Sequence, residues 1–137
     1  MAESVGKYVP TPDGLNYDFY KHAIDGVLHF PRCKKCGTYH HPPRFLCGKC
    51  ASSEHDWVPS SGEGKLFSWT VNHRVFDPGW MPEVPYATVV VEMDEEKVRV
   101  VGGLRGLDLA DLKIGIPMVA EVEPAGDEFV FVYFRPV

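Results

Sequence analysis

Four cysteines carry the strongest chemical signal in this chain. Cys33, Cys36, Cys47 and Cys50 lie within 18 residues in the pattern C-x2-C-x10-C-x2-C. Two thiolates separated by two residues can grip one metal ion from a tight turn, and two such turns supply four sulfurs in tetrahedral array. A closed four-thiolate site leaves no open coordination position, so its expected work is to hold a fold together, not to activate water. Zn2+ is the expected ion. Iron is the alternative, because it takes the same ligands and spacing does not separate the two. A pair of disulfides would suit a secreted chain, but Met1–Lys7 has neither the basic start nor the apolar stretch of a secretory signal. A redox C-x-x-C is also disfavoured, since two copies this close form a natural cage. Gly37 after the first pair and Gly48 inside the second are expected where backbone amides bend toward sulfur. Arg32, Lys34, Lys35, Arg44 and Lys49 surround the cysteines, and residues 30–50 contain no Asp or Glu. These cations offset the negative charge of a metal–tetrathiolate cage, and some could also meet an anionic ligand or partner. His40 and His41 are spare donors beside a cage that already has four ligands.

Other chemistry is sparse. The sequence has no G-x-S-x-G, phosphate loop or dinucleotide glycine motif. The cage claims every cysteine, so none is left as a nucleophile. His73, with Arg74 and Asp77 nearby, could be an acid–base group, but a strand-end polar residue is the plainer reading. Asp108 and Asp111 read as cap and surface. No catalytic residue is assigned, and the expectation is a binding or accessory role, not an enzyme acting alone.

The elements that must position these residues fit one compact unit or two very small ones in 137 residues. No apolar run approaches 18 residues, so a membrane span is not expected, and the expected location is cytoplasmic. Residues 1–56 hold seven Lys/Arg against six Asp/Glu, whereas residues 57–137 hold seven against thirteen. That acidic half argues against a general nucleic-acid binder, which needs a basic face for phosphates. Residues 1–13 read as an extended arm. Residues 14–28 read as a helix with Asn16 as N-cap, an apolar stripe of Tyr17, Tyr20, Ile24 and Leu28 widened by Phe19 and Ala23, and an end at Gly26. Its aromatic residues suit the protein's own core or a docking surface for another protein. Residues 29–57 are assigned to the metal knuckles, with Pro42-Pro43 fixing an extended crossing strand between them.

From Lys65 the pattern alternates with period two. Strands are expected at 65–76, 87–93, 97–104, 117–123 and 128–134, with a short helix or turn at 107–112. Asp94-Glu95-Glu96 reads as a solvated turn without chemistry, and Gly102-Gly103 as a bulge or bend. Five strands with a brief helical insert between the third and fourth give the order of an OB-type barrel; a five-stranded sandwich is the competing fold. The division expected is an arm at 1–13, a helix and metal ribbon at 14–60, and a barrel at 61–137.

Taken in order, several elements resemble a known family. They are the aromatic Tyr17-Asp18-Phe19-Tyr20, Cys33-Lys34-Lys35-Cys36-Gly37, His41-Pro42-Pro43-Arg44, Cys47-Gly48-Lys49-Cys50, Gly62 to Val71, Pro85-Tyr86-Ala87 and Phe134-Arg135-Pro136-Val137. The chain is similar over residues 14–137 to the acyl-CoA-associated zinc-ribbon/OB-fold proteins, long described as a domain of unknown function. The resemblance implies a mainly β chain, with an N-terminal helix and a rubredoxin-like zinc ribbon followed by a five-stranded OB-fold barrel. It implies partnership with a thiolase-like enzyme or a steroid side-chain retro-aldolase that supplies the bond-making residues. The small subunit would hold the complex together and help shape an acyl-CoA channel. Tyr17, Phe19, Tyr20, His41, Pro43 and Arg44 are the candidate contacts to acyl-CoA or partner. A free-standing acyl-CoA binder is the alternative, with Lys34, Lys35, Arg44 and Lys49 on the phosphates. A further alternative is a single-strand nucleic-acid module stacking bases on Phe67, Trp69 and Tyr133.

Overall fold

A computed structural model describes residues 6–96 and 98–137. The chain runs through one helix, α1 (Gly14–Ala23), a two-stranded ribbon of β1 (His29–Cys33) and β2 (His55–Pro59), and five further strands. These are β3 (Glu63–Asn72), β4 (Tyr86–Met93), β5 (Arg99–Leu104), β6 (Pro117–Pro124) and β7 (Val130–Pro136). They close into a barrel in the order β3-β4-β5-β7-β6, with β6 returning to β3. All neighbours are antiparallel except β5 and β7, which meet in parallel through Gly103↔Tyr133 and Leu104↔Phe134. This is the OB topology, and closure leaves the barrel no free edge.

Alternation explains the barrel. In β4, Ala87, Val89, Val91 and Met93 are buried while the residues between them are not. Leu66, Val100, Met118, Val130 and Phe134 meet them in one core. The β-branched valines suit such a pleated, half-buried surface. The ribbon and helix join the same core through Phe19, Ala23, Leu28 and Phe30. On the outer face of β7 lies a second aromatic stripe, where Phe131 sits 5.4 Å from Phe129 and 6.4 Å from Tyr133.

Several boundaries differ from expectation. The helix ends at Ala23, not at Gly26, and Asp13 occupies its N-cap position instead of Asn16. Phe19 and Ala23, expected beside the stripe, are its buried members. Leu28 is buried as the lead-in to β1. Residues 29–57 hold an antiparallel ladder from His29↔Pro59 to Cys33↔His55 as well as the knuckles. Among the described residues the Pro42-Pro43 segment pairs with no strand; an isolated bridge joins Arg32 and Tyr39 just before it, and the His41–Pro42 bond is cis. The first barrel strand stops at Asn72, whose amide binds Thr88 Oγ1 at 2.9 Å, and residues 73–76 enter a loop. The insert is a single 3-10 turn, Leu109–Asp111. The last strand begins two residues late, at Val130. The Lys97 end of the expected third strand lies outside the described residues. Among the described residues, no helix is long and apolar enough to cross a membrane.

The bulge lies in β3, where the register shifts between Leu66 and Ser68. Gly102 and Gly103 serve a different need. A Cβ on Gly102 would stand 2.8 Å from the Val132 carbonyl oxygen and 2.9 Å from the Phe134 ring. These glycines let β7 approach the parallel seam closely. Replacing Gly102 by Ala therefore overpacks a wholly buried ring against fixed backbone. Urea denaturation is expected to show a loss of about 1–3 kcal/mol, and an unchanged midpoint would contradict this account of the seam.

Candidate metal centre and flanking clefts

The four cysteine sulfurs all lie within 4.8 Å of one another. Cys33 and Cys50 are 3.5 Å apart, as are Cys36 and Cys47. A tetrahedral ion with metal–sulfur bonds of about 2.3 Å sets its sulfurs about 3.8 Å apart. The donor set therefore fits a four-thiolate ion without rearrangement of the chain. Among the described residues no other cluster of His, Cys, Asp or Glu has this form, and His40 and His41 stand outside it.

Two knuckles of one design bring the sulfurs together. In the first, Gly37 N–H donates to the Cys33 carbonyl at 2.9 Å and Cys33 N–H to Thr38 at 2.9 Å. In the second, Ala51 N–H donates to Cys47 at 2.9 Å and Cys47 N–H to Ser52 at 2.8 Å. The residue after each pair takes the left-handed conformation, with φ 77 at Gly37 and φ 62 at Ala51. The turn residue of the second knuckle is thus Ala51. Gly48 instead makes room for Arg44, whose Nη1 would lie 2.9 Å from a Cβ there.

Backbone and hydroxyl groups prepare the sulfurs for the anionic form. Amides of Cys36 and Lys35 lower the Cys33 thiol, with the former the larger influence. The Thr38 hydroxyl, 3.2 Å from Cys36 Sγ, is the main reason Cys36 falls to about 6. Cys50 moves the other way: the Ser52 amide favours its thiolate, but burial and the neighbouring thiols outweigh it. Crowded thiols resist joint ionisation until a cation arrives.

One cleft borders the centre at Cys36, a second lies beyond it, and His41 lines both. The first, of about 630 Å³, is edged by Arg32, Arg44, Lys49, Tyr39 and His40, with Glu96 reaching in from the β4–β5 hairpin. Arg32 is held there by the Gly37 carbonyl at 3.0 Å and lies 5.2 Å from the Tyr39 ring centre. Lys34 turns to Asp56, 3.6 Å away. The second cleft, of about 330 Å³, runs between ribbon and barrel and is lined by Phe19, Tyr20, His41, Pro43, Arg99 and Val101 among others. The structure thus gathers Phe19, Tyr20, His41 and Pro43 in one cleft and His41 with Arg44 in the other. Tyr17 lines neither and packs under Lys21, 5.7 Å away.

His41 is wedged between Phe19 and Phe30, with ring centres at 5.1 and 5.5 Å, and its Nδ1 is buried without a partner. Burial lowers its pKa from 6.5 to about 4. Sequence reasoning missed Thr38, Tyr39, Arg99 and Val101. Thr38 directly follows the Cys-x-x-Cys-Gly turn, but the β5 residues reach the cleft only through the tertiary fold. The acidic hairpin also does more than face water, since Glu95 accepts the Ser61 N–H at 3.0 Å. Of the base-stacking candidates, Tyr133 is buried beneath Arg105 at 3.5 Å, Trp69 is half-buried, and Phe67 is exposed with Arg99 4.0 Å from its ring centre.

Residues 25–56 match the family model for the rubredoxin-like zinc ribbon domain of ChsH2, and residues 57–123 match that for its C-terminal OB-fold domain. A DUF35 domain-containing scaffold protein of Methanocaldococcus jannaschii is 32% identical over 77% of this chain and 79% of its own length. The chain belongs to the ChsH2 (DUF35) family. A solved chain of an Ltp2–ChsH2(DUF35) aldolase is 32% identical with a TM-score of 0.83, covering 93% of this chain and 98% of that one. Longer family relatives also match. A probable enoyl-CoA hydratase alpha subunit of Thermomonospora curvata is 35% identical over 88% of this chain. The 3-oxo-4,17-pregnadiene-20-carboxyl-CoA hydratase alpha subunit of Mycobacterium tuberculosis is 40% identical over 61%. The chain spans 37% and 26% of the lengths of these two proteins.

Two predictions follow from the geometry at Ala51 and His41. Ala51→Gly relieves a left-handed non-glycine residue and is expected to stabilise the ribbon by about 1 kcal/mol in thermal unfolding; a lower melting point would contradict it. His41 binds its proton less readily when folded, so the unfolded chain takes up more protons between pH 6.5 and about 4. Stability from neutral His41 is present above that window and is lost as pH falls through it. Between pH 7 and 5 the native chain should lose about 2 kcal/mol more than His41→Phe. Parallel pH profiles of the two proteins would show that His41 does not carry the effect.

Proposed function

We propose that this chain is a non-catalytic, Zn2+-binding subunit of a thiolase-superfamily acyl-CoA enzyme, with a steroid side-chain retro-aldolase as the specific case. The observation that carries the reading is the likeness, at 32% identity and across nearly all of both chains, to the ChsH2(DUF35) chain of an aldolase. Zn2+ is the ion proposed for Cys33, Cys36, Cys47 and Cys50 because closed four-thiolate sites of this kind are structural zinc sites. In this reading the arm is residues 6–13 of the expected 1–13, residues 1–5 lying outside the described residues, with residues 14–60 the helix and ribbon and residues 61–137 the barrel.

The surface supports a partner. Phe45 and Leu46 are exposed beside Arg44 on the second knuckle. Large apolar side chains held out on a braced turn suit an interface better than open water. Phe19, Tyr20, His41, Pro43 and Arg44 are proposed to border the acyl-CoA path or the partner, and Tyr17 to meet the partner from the exposed side of α1. The basic first cleft favours a second reading, in which the chain meets CoA phosphates through Arg44 and Lys49 even when alone.

Affinity purification of the tagged chain from its native lysate, with metal analysis of the eluate, tests both halves. The expected result is about one Zn2+ per chain and a co-purifying thiolase-like or aldolase protein, with both lost in Cys47→Ser. A chain recovered folded, free of metal and without such a protein would overturn the reading. Calorimetry with a CoA ester separates the alternatives, since tight binding by the isolated chain supports the free-standing binder.

A further inference from the structure

Residues 6–13 form an arm without regular structure that runs against the barrel. Lys7 pairs with the Glu83 carboxylate, and its ammonium lies 4.3 Å from the centre of the Trp80 ring. Both partners belong to the loop 73–85 between β3 and β4. Asp77 ties this loop internally: its carbonyl accepts the Trp80 and Met81 N–H groups at 3.0 and 3.2 Å, and its carboxylate the Gly79 N–H at 2.9 Å. Trp80 in turn packs 5.2 Å from Tyr86 and edge-on to Phe131 at 6.1 Å. The arm therefore lies on the loop, and the loop lies on the aromatic stripe of β7.

Gly79 shows how closely the arm crosses. Its φ is not in the left-handed region, so its backbone does not require glycine. The space does. A Cβ at Gly79 would stand 2.6 Å from the Gly6 carbonyl oxygen and 2.6 Å from Lys7 Cα, which are backbone atoms that no rotamer change can move aside. The three atoms nearest to such a Cβ all belong to the arm.

We propose that residues 6–11 are a releasable strap that holds the 73–85 loop, with its Trp80, down on the β7 stripe, with its crossing at Gly79 and its latch at Lys7, Glu83 and Trp80. The latch is a partly exposed ion pair and a cation–π contact, both individually weak and the former screened by salt. Release frees the loop while the barrel ladder stays paired. It uncovers Trp80 and Phe131 and gives water access to the Tyr133 hydroxyl, which is buried without a partner.

The test uses the full chain, Gly79→Ala and Lys7→Gln. Trypsin cleavage after Lys7 reports on the strap in the native chain and in Gly79→Ala, and amide hydrogen exchange at Trp80, Met81 and Glu83 reports on the loop. In Gly79→Ala, cleavage should accelerate at least about tenfold and exchange at the three loop amides at least about fivefold, with β6 amides unchanged. Cleavage at the native rate would mean that the arm does not cross at Gly79. Faster cleavage with native loop exchange would mean that the strap does not hold the loop, and either result overturns the proposal. If Gly79→Ala loosens β6 as well, Lys7→Gln decides: selective exchange at the loop supports the strap, and a native pattern rejects it.

Discussion

Sulfur crowding sets the terms for everything around the ribbon. Four thiols are held within 4.8 Å by two short turns, and the surrounding amides and the Thr38 hydroxyl favour ionisation of the first of them. Each further thiolate then faces its neighbours, which is why Cys50 resists losing its proton. The arrangement suits a cation at its centre, which would turn that repulsion into attraction. The β1–β2 ladder alone could not keep the turns in place, because an isolated two-stranded hairpin is marginal in water. The ribbon draws on sulfur at one end and on Leu28 and Phe30, sunk into the common core, at the other.

His41 sits where these two supports meet. Its ring is packed between an aromatic residue of α1 and one of β1, and it lines the polar cleft on one side and the more apolar groove against β5 on the other. Burial keeps it neutral at ordinary pH, so its role in the native fold is packing and not charge. Five basic side chains, Arg32, Lys34, Lys35, Arg44 and Lys49, belong to the ribbon, while the barrel half carries the excess of Asp and Glu. That polarity gives the molecule two electrostatically different faces within a short distance of one another.

The barrel and the cysteine cluster were legible in the sequence because each rests on a local rule. Val89 and Val91 alternate with half-buried neighbours, and the Cys-x-x-Cys pairs place their sulfurs by backbone geometry alone. Structure departs from local pattern where tertiary packing overrides it. Leu28 fits a helical stripe, yet Asp25-Gly26-Val27 leaves the helix and carries Leu28 into the core ahead of β1. Gly102-Gly103 looked like a bend, but their purpose is set by Phe134 and Tyr133, some thirty residues on. Gly48 reads as a turn residue, while Ala51 adopts the left-handed conformation without any glycine to announce it. The β5 side of the second cleft had no signal at all, since Arg99 and Val101 reach Phe19 and His41 only once the barrel is closed.

The parallel seam between β5 and β7 has a consequence for the order of assembly. β7 is the last strand in the sequence, and it alone joins β5 to β6. During synthesis on a ribosome, every ribbon ligand has emerged by Cys50 and the ribbon ladder by Pro59, while the barrel is still an open sheet. The metal-binding half can therefore mature around its ion before the other half can shut. The final strand then closes the ring in one late step, docking its outer aromatic residues against Tyr20 and Trp80 as it does so.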